Sequence, residues 1–135
     1  MYRSLADAIR DAESQGKSLA RVALETEALD QGRPVEEIRD ALRRALDVMR
    51  RAADRGLAGD LKSVSGLVGG DAAKLRLTSA PVSGPLFRDI LARALAVQEV
   101  NAAMGVIVAA PTAGGAGVLP AVLTGLAASR DIGDE

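Results

Sequence analysis

Along the first sixty residues, apolar positions recur at helical spacing and polar or glycine residues divide them into segments. Ser4 stands where an N-cap belongs, ahead of Leu5, Ala8, Ile9 and Ala12, and Gly16 supplies the stop. Ser18 opens a second helix that directs Leu19, Val22, Ala23 and Leu29 inward and ends at Gly32. Pro34 then occupies a first-turn position, with Glu36 and Glu37 in the favoured acidic first turn of a third helix. Its predicted buried stripe is Val35, Ile38, Leu42, Ala45, Leu46, Met49 and Ala53. On the outer face, Asp40 precedes Arg44 by four residues and Asp47 precedes Arg51 by four, a spacing that adds roughly 0.3 kcal/mol per pair. Both signs are interleaved there, which marks a solvated helix surface rather than a binding patch.

Gly56 and Gly59 interrupt this pattern and are expected to begin a loop. Asp71 is placed to cap a short helix from Ala72 to about Thr78, with Lys74 on its first turn. A turn is expected through Pro81, Ser83, Gly84 and Pro85. The next helix should bury Phe87, Ile90, Leu91, Ala94 and Leu95 and reach Gln98, Glu99 and Asn101 before Met104 and Gly105. Residues 100–129 carry no charge, a length sufficient to span a bilayer. Asn101, Pro111, Thr112, Pro120 and several glycines divide that stretch, so a buried helical hairpin is expected and a membrane span is not. No strand alternation stands out, although residues 105–109 are compatible with extended backbone. The fold class that follows is all-α, or mostly α. Helices are expected at about 4–55, a glycine-rich loop at about 56–71, a helix at about 85–104, and a second glycine-rich loop with an apolar helix at about 110–129.

Composition narrows this reading. A chain of 135 residues supports one domain, or a piece of one, with its own core. Hydrophobic residues make up 48%, yet Tyr2 and Phe87 are the only aromatics, so the core must be Ala, Leu, Val and Ile brought together by close helix contacts. A formal charge of −1 provides no field toward nucleic acid or an anionic membrane, and the lack of aromatics argues against base stacking. Cysteine and histidine are both absent, which removes disulfides, thiolate nucleophiles, imidazole bases and the usual soft-metal ligands. No metal site is expected within this chain. Residues 1–5 run directly into acidic sequence without an apolar h-region, so no secretory signal is expected and the cytoplasm is the expected compartment.

Two glycine-rich segments carry the candidate chemistry: Ser65-Gly66-Leu67-Val68-Gly69-Gly70-Asp71-Ala72 and Ala110-Pro111-Thr112-Ala113-Gly114-Gly115-Ala116-Gly117. Glycine at this density suits backbone with positive φ or close approach to a ligand. Both segments lead into helix-compatible sequence, which leaves backbone N–H groups at a helix start as a seat for a carboxylate or phosphate.

In order and spacing, the first segment, then Asn101-Ala102-Ala103-Met104-Gly105, then Pro111-Thr112-Ala113-Gly114 with Ala116-Gly117-Val118-Leu119-Pro120 resemble the alpha subunit of bacterial iron–sulfur-dependent L-serine dehydratase. Lesser agreements occur at Leu46-Asp47-Val48-Met49, Arg55-Gly56-Leu57 and Gly59-Asp60. The resemblance covers roughly the first half of that subunit. It implies a lyase that removes water from L-serine, giving pyruvate and ammonia without pyridoxal phosphate. It also implies a four-iron, four-sulfur cluster held by cysteines in a region this chain lacks, a beta subunit or domain, and an oligomer. The chain alone is expected to be inactive.

Within that resemblance, Ser65, Gly66, Gly69, Gly70, Asp71, Asn101, Thr112, Ala113, Gly114, Gly115, Ala116 and Gly117 are the candidate substrate-binding residues, and Lys74 is the candidate catalytic residue. Backbone N–H groups at Gly69 to Asp71 and Gly114 to Gly117 would hold the serine carboxylate. Asp71, Asn101 and Thr112 would meet the ammonium or lock the loops, while Lys74 would pair with the carboxylate or, if desolvated, act as a base. Plainer roles stand beside these: Asp71 as an N-cap, Asn101 satisfying loop carbonyls, Lys74 solvated, and the glycines allowing close helix packing. The family's second loop usually has Ser where this chain has Gly115. Two further readings remain open, a non-catalytic small-carboxylate binding module and a helical scaffold that docks a partner chain.

Overall fold

In the computed structural model the chain is all-α, with α1 (Leu5–Gln15), α2 (Leu19–Gln31), α3 (Val35–Leu57), α4 (Asp71–Leu77), α5 (Pro85–Ala102) and α6 (Gly115–Arg130). The structure describes residues 2, 4–79 and 84–133, and no strand occurs among them. Pro81 and Ser83 of the expected turn lie outside the described residues. Two compact units divide within α3, Met1–Arg44 and Ala45–Glu135.

In the first unit the punctuation acts as its chemistry predicts. The Ser4 and Ser18 hydroxyls each accept from the backbone N–H three residues on, at 3.2 Å. Gly16 and Gly32 both adopt φ +62°, closing α1 and α2 with paired hydrogen bonds back to the last turn. Pro34 sits one residue ahead of α3, and its carbonyl accepts from Glu37 N–H at 3.1 Å. The buried set is smaller than expected: Ala8, Ala12, Val22, Ala28 and Ile38 are buried, whereas Leu5, Ile9, Leu19, Ala23, Leu29 and Leu42 are exposed. The faces that bury are marked by alanine, and larger side chains on neighbouring positions are left on the flanks. On the outer face Asp40 pairs with Arg43 at 3.3 Å rather than with Arg44, and Arg51 in the second unit donates to the Asp47 main-chain carbonyl.

In the second unit α3 does not stop at Gly56. It runs on to Leu57, with Gly56 buried against α5 so closely that a Cβ there would lie 2.2 Å from the Ala96 carbonyl oxygen. Glycine at this position serves helix contact and not a loop. Ala52 and Ala53 of α3 join Val97 and Val100 in one cluster, while Leu57 joins Ala72, Ala92 and Ala96 in another. The expected buried face of α5 is therefore corrected. Ala92, Ala96, Val97, Glu99 and Val100 are buried, Ile90 and Ala94 are half-buried, and Phe87, Leu91 and Leu95 are exposed. α5 carries small residues on the side that meets α3 and α4, and close approach there outweighs burial of its larger stripe.

α6 packs on α5 through Gly117, Ala121 and Gly125, spaced four apart on one face. Pro120 is fully buried within α6, and its carbonyl accepts from the Thr124 hydroxyl at 2.8 Å. α5 ends with Met104 at φ +61° and with Gly105 N–H bonded to the Val100 carbonyl at 2.8 Å, a Schellman-type close in which methionine holds the left-handed position. Residues 105–110 then lead to α6 without forming a strand. Among the described residues no helix is long and apolar enough to cross a membrane.

Candidate functional site

The first glycine-rich loop leaves α3 and returns to α4 through four left-handed glycines, Gly59, Gly66, Gly69 and Gly70. Gly69 is the most constrained, with φ +149° and only 2.0 Å between an added Cβ and the Leu61 carbonyl oxygen. The tip is closed by Ser63 N–H to the Val68 carbonyl at 2.7 Å and by the Ser63 hydroxyl accepting from Val68 N–H at 3.1 Å. Ser65 and Gly66 lie exposed at this tip, where the Ser65 and Ser63 hydroxyls are 3.1 Å apart.

At the end of this loop the structure reassigns a role. Gly70, not Asp71, is the N-cap of α4, and it has no side chain with which to satisfy the helix start. The carboxylate of Glu99, reaching from α5, does so instead. It accepts from Gly70 N–H at 3.0 Å, Asp71 N–H at 2.7 Å and Ala72 N–H at 3.1 Å. Glu99 is 3% exposed, so an anion does sit on these donors, supplied by the protein's own side chain. Asp71 turns its own carboxylate outward to Lys74, 3.0 Å away, and both are exposed. In this geometry Lys74 is solvated and ion-paired.

The second loop is organised by Thr112. Its hydroxyl accepts from Gly115 N–H at 2.9 Å and its carbonyl from Ala116 N–H at 3.1 Å, so Thr112 caps the start of α6 from three residues before it. The Gln98 side chain donates from Nε2 to the Ala113 carbonyl at 2.8 Å. To get there it crosses Gly117, where an added Cβ would come within 2.7 Å of that nitrogen. Ala116 and Gly117 are buried against α5, whereas Thr112, Ala113 and Gly114 are exposed, as is Asn101 at the end of α5.

Both loops are thus tied to adjacent residues of one helix, Gln98 and Glu99. Neither emerged from the sequence pattern as a site residue. One signal was available: Glu99 is an acidic residue in the last turn of a helix, where the dipole disfavours it, with the apolar Val100 next to it and Val97 two residues before it. A carboxylate in that setting needs donors from elsewhere in the fold. No group of three or more acidic residues among the described residues is arranged to hold a metal ion, and the chain has no cysteine or histidine, so its residues do not fit an iron–sulfur cluster.

The sequence profile of the family described as Serine dehydratase alpha chain matches residues 14–134. A Bacillus subtilis protein named "Probable L-serine dehydratase, alpha chain" is 38% identical over 126 residues, covering 91% of this chain and 42% of the relative. The "L-serine dehydratase, alpha chain" of Peptoniphilus asaccharolyticus is 36% identical over 117 residues, covering 81% of this chain and 38% of the relative. An "L-serine dehydratase" of Streptomyces coelicolor is 38% identical over 128 residues, covering 90% of this chain and 27% of the relative. The chain therefore spans less than half the length of each of these relatives. No solved structure matches it. With residues 14–134 of its 135 matched, the chain belongs to the serine dehydratase alpha chain family.

Proposed function

We propose that this chain is the N-terminal part of the alpha domain of an L-serine dehydratase, which converts L-serine to pyruvate and ammonia, and that it supplies loops that hold the substrate. The observation that carries this reading is the anchoring of both glycine-rich loops on Gln98 and Glu99. Two segments remote from each other in sequence are fixed to one helix by neighbouring side chains. The exposed members, Ser65, Gly66, Asp71, Asn101, Thr112, Ala113 and Gly114, are the contacts available to a small amino acid. Gly69, Gly70, Gly115, Ala116 and Gly117 shape the backbone beneath them.

The Glu99 carboxylate holds three N–H groups at the start of α4, whereas the second loop's Gly115 N–H is held only by the exposed Thr112 hydroxyl, which a serine carboxylate would displace or share; the ammonium is assigned to Asp71. The four-iron, four-sulfur cluster belongs to a cysteine-bearing region outside this chain, and a beta subunit or domain completes an oligomeric, cytoplasmic enzyme. Residues 1–135 alone are inactive, because the chain has no cysteine to hold the cluster and no histidine for proton transfer. The test is pyruvate formation from L-serine by the complete protein and by residues 1–135 purified under the same anaerobic conditions. Turnover by the complete protein alone is expected. Turnover by the isolated chain would overturn the division of labour, and no turnover by the complete protein would overturn the activity.

A further inference from the structure

We infer that Gln98 and Glu99 are positioning residues that set the two substrate loops as a pair, an inference that rests on the substrate-holding role proposed above. α4 is only seven residues long and begins at a glycine without a capping side chain, so it has little stability of its own. Its place in the fold depends on the Glu99 carboxylate, which engages three successive N–H groups. Those donors continue directly from Gly69, whose backbone no other residue fits without displacing Leu61. Glu99 therefore fixes the end of the first loop, and the Val64 N–H bond to the Ala102 carbonyl at 3.4 Å ties its tip to the same end of α5.

One residue earlier, Gln98 holds the second loop at Ala113. Adjacent residues of a helix are separated by only about 1.5 Å of rise, so the two anchor points move as one body with α5. Glu99 is not placed as a base. Both of its oxygens are engaged by backbone donors, and the residue is buried.

The chemistry of each anchor predicts distinct effects. Glu99→Gln keeps the shape but turns an amide NH2 toward backbone donors, so part of the three-bond clamp is lost. Glu99→Asp keeps the charge on a shorter arm and should recover part of the loss. Gln98→Leu removes the hold on Ala113 without burying a charge. Gly117→Ala leaves Gln98 chemically intact but pushes its amide from its path, with a lesser crowding of the Ala94 carbonyl oxygen at 3.1 Å.

The experiment measures kcat and KM for L-serine in the complete enzyme carrying each substitution, with thermal midpoint and hydrogen exchange at residues 70–72 recorded alongside. Loops that bind substrate equally in ground and transition states change KM and leave kcat nearly alone. Glu99→Gln is expected to raise KM about tenfold or more, with kcat within about threefold, and to speed exchange at residues 70–72. Glu99→Asp should lie between it and wild type. Gln98→Leu and Gly117→Ala should each raise KM severalfold, and the double variant should be no worse than the stronger single one, because both act on the same hydrogen bond. If Glu99→Gln fails to fold, Gln98→Leu and Gly117→Ala decide the matter. Folded variants with KM within twofold of wild type would overturn the positioning role while leaving the dehydratase assignment standing. A wild-type enzyme without serine turnover would instead overturn the assignment.

Discussion

Replacing Gly56 by alanine tests whether α3 and α5 meet as closely as the second unit requires. A Cβ at this position would stand 2.2 Å from the Ala96 carbonyl oxygen, 2.5 Å from its carbonyl carbon and 2.6 Å from its Cα. All three are main-chain atoms, so no rotamer change relieves the clash, and the helices must part by about 1 Å to restore ordinary contact. A gap of that size forfeits about a quarter to a half of the dispersion attraction between facing atoms, here in the clusters of Ala52, Ala53, Val97 and Val100 and of Leu57, Ala72, Ala92 and Ala96. Overpacking against rigid backbone belongs at the upper end of its usual range, about 3 kcal/mol. Alanine returns about 1 kcal/mol through its higher helix propensity, which leaves a net destabilisation of about 2 kcal/mol. Urea denaturation of wild type, Gly56→Ala and Gly114→Ala measures this. Gly114 has right-handed φ and open space at its Cβ, so its variant should be neutral or slightly stabilised. A Gly56→Ala protein as stable as wild type would show that helix propensity prevails and that α3 and α5 are not in backbone contact.

Other substitutions read single features. Met104→Gly should stabilise the protein by about 1 kcal/mol in thermal unfolding, because methionine occupies a left-handed position that suits glycine. Ser18→Ala should cost about 1 kcal/mol, measured the same way, through loss of the hydroxyl that accepts from Arg21 N–H. The response to acid follows from three carboxylates, the half-buried Asp11 and Glu25 and the exposed Asp60. Hydrogen bonds from Tyr2 and then Gln15 hold Asp11 below the ordinary carboxylate range, those from Lys17 and Arg21 lower Glu25, and one from Arg55 lowers Asp60. A carboxyl whose pKa is lower in the folded state stabilises folding above its unfolded value. That contribution should be constant at neutral pH and fade as pH falls from about 4 through the lowered values, a trend that thermal midpoints between pH 7 and 3 will follow.

The helices of the first unit were legible because their ends are chemical: two serines offer hydroxyls to free N–H groups and two glycines accept left-handed backbone. The inward faces were legible only in part: Ala8, Ala12, Val22 and Ile38 were expected inward and are buried, but hydrophobic periodicity also weights large residues, and this protein packs largely by small ones. Leu5, Leu29, Leu42, Phe87 and Leu91 dominate any apolar stripe drawn on the sequence, yet Ala8, Ala28, Ala53, Ala92 and Ala96 occupy the contacts. Gly56 was misread for the same reason. A glycine near the end of a helical pattern signals a stop unless a second helix is known to lie against it. The loops stood out through glycine density, but the N–H groups expected to stay open for a ligand at the start of α4 are taken by a side chain 27 to 29 residues later in the chain. No local pattern links Glu99 to Gly70, since the pairing depends on how α4 is brought alongside α5.

Hydrogen exchange in the complete protein, with and without L-serine, addresses the substrate-loop assignment most directly. If residues 63–72 and 110–117 form one seat, L-serine will slow exchange in both segments over the same concentration range that saturates turnover. Turnover of serine with both segments unchanged, or with protection confined to other parts of the protein, would contradict the assignment.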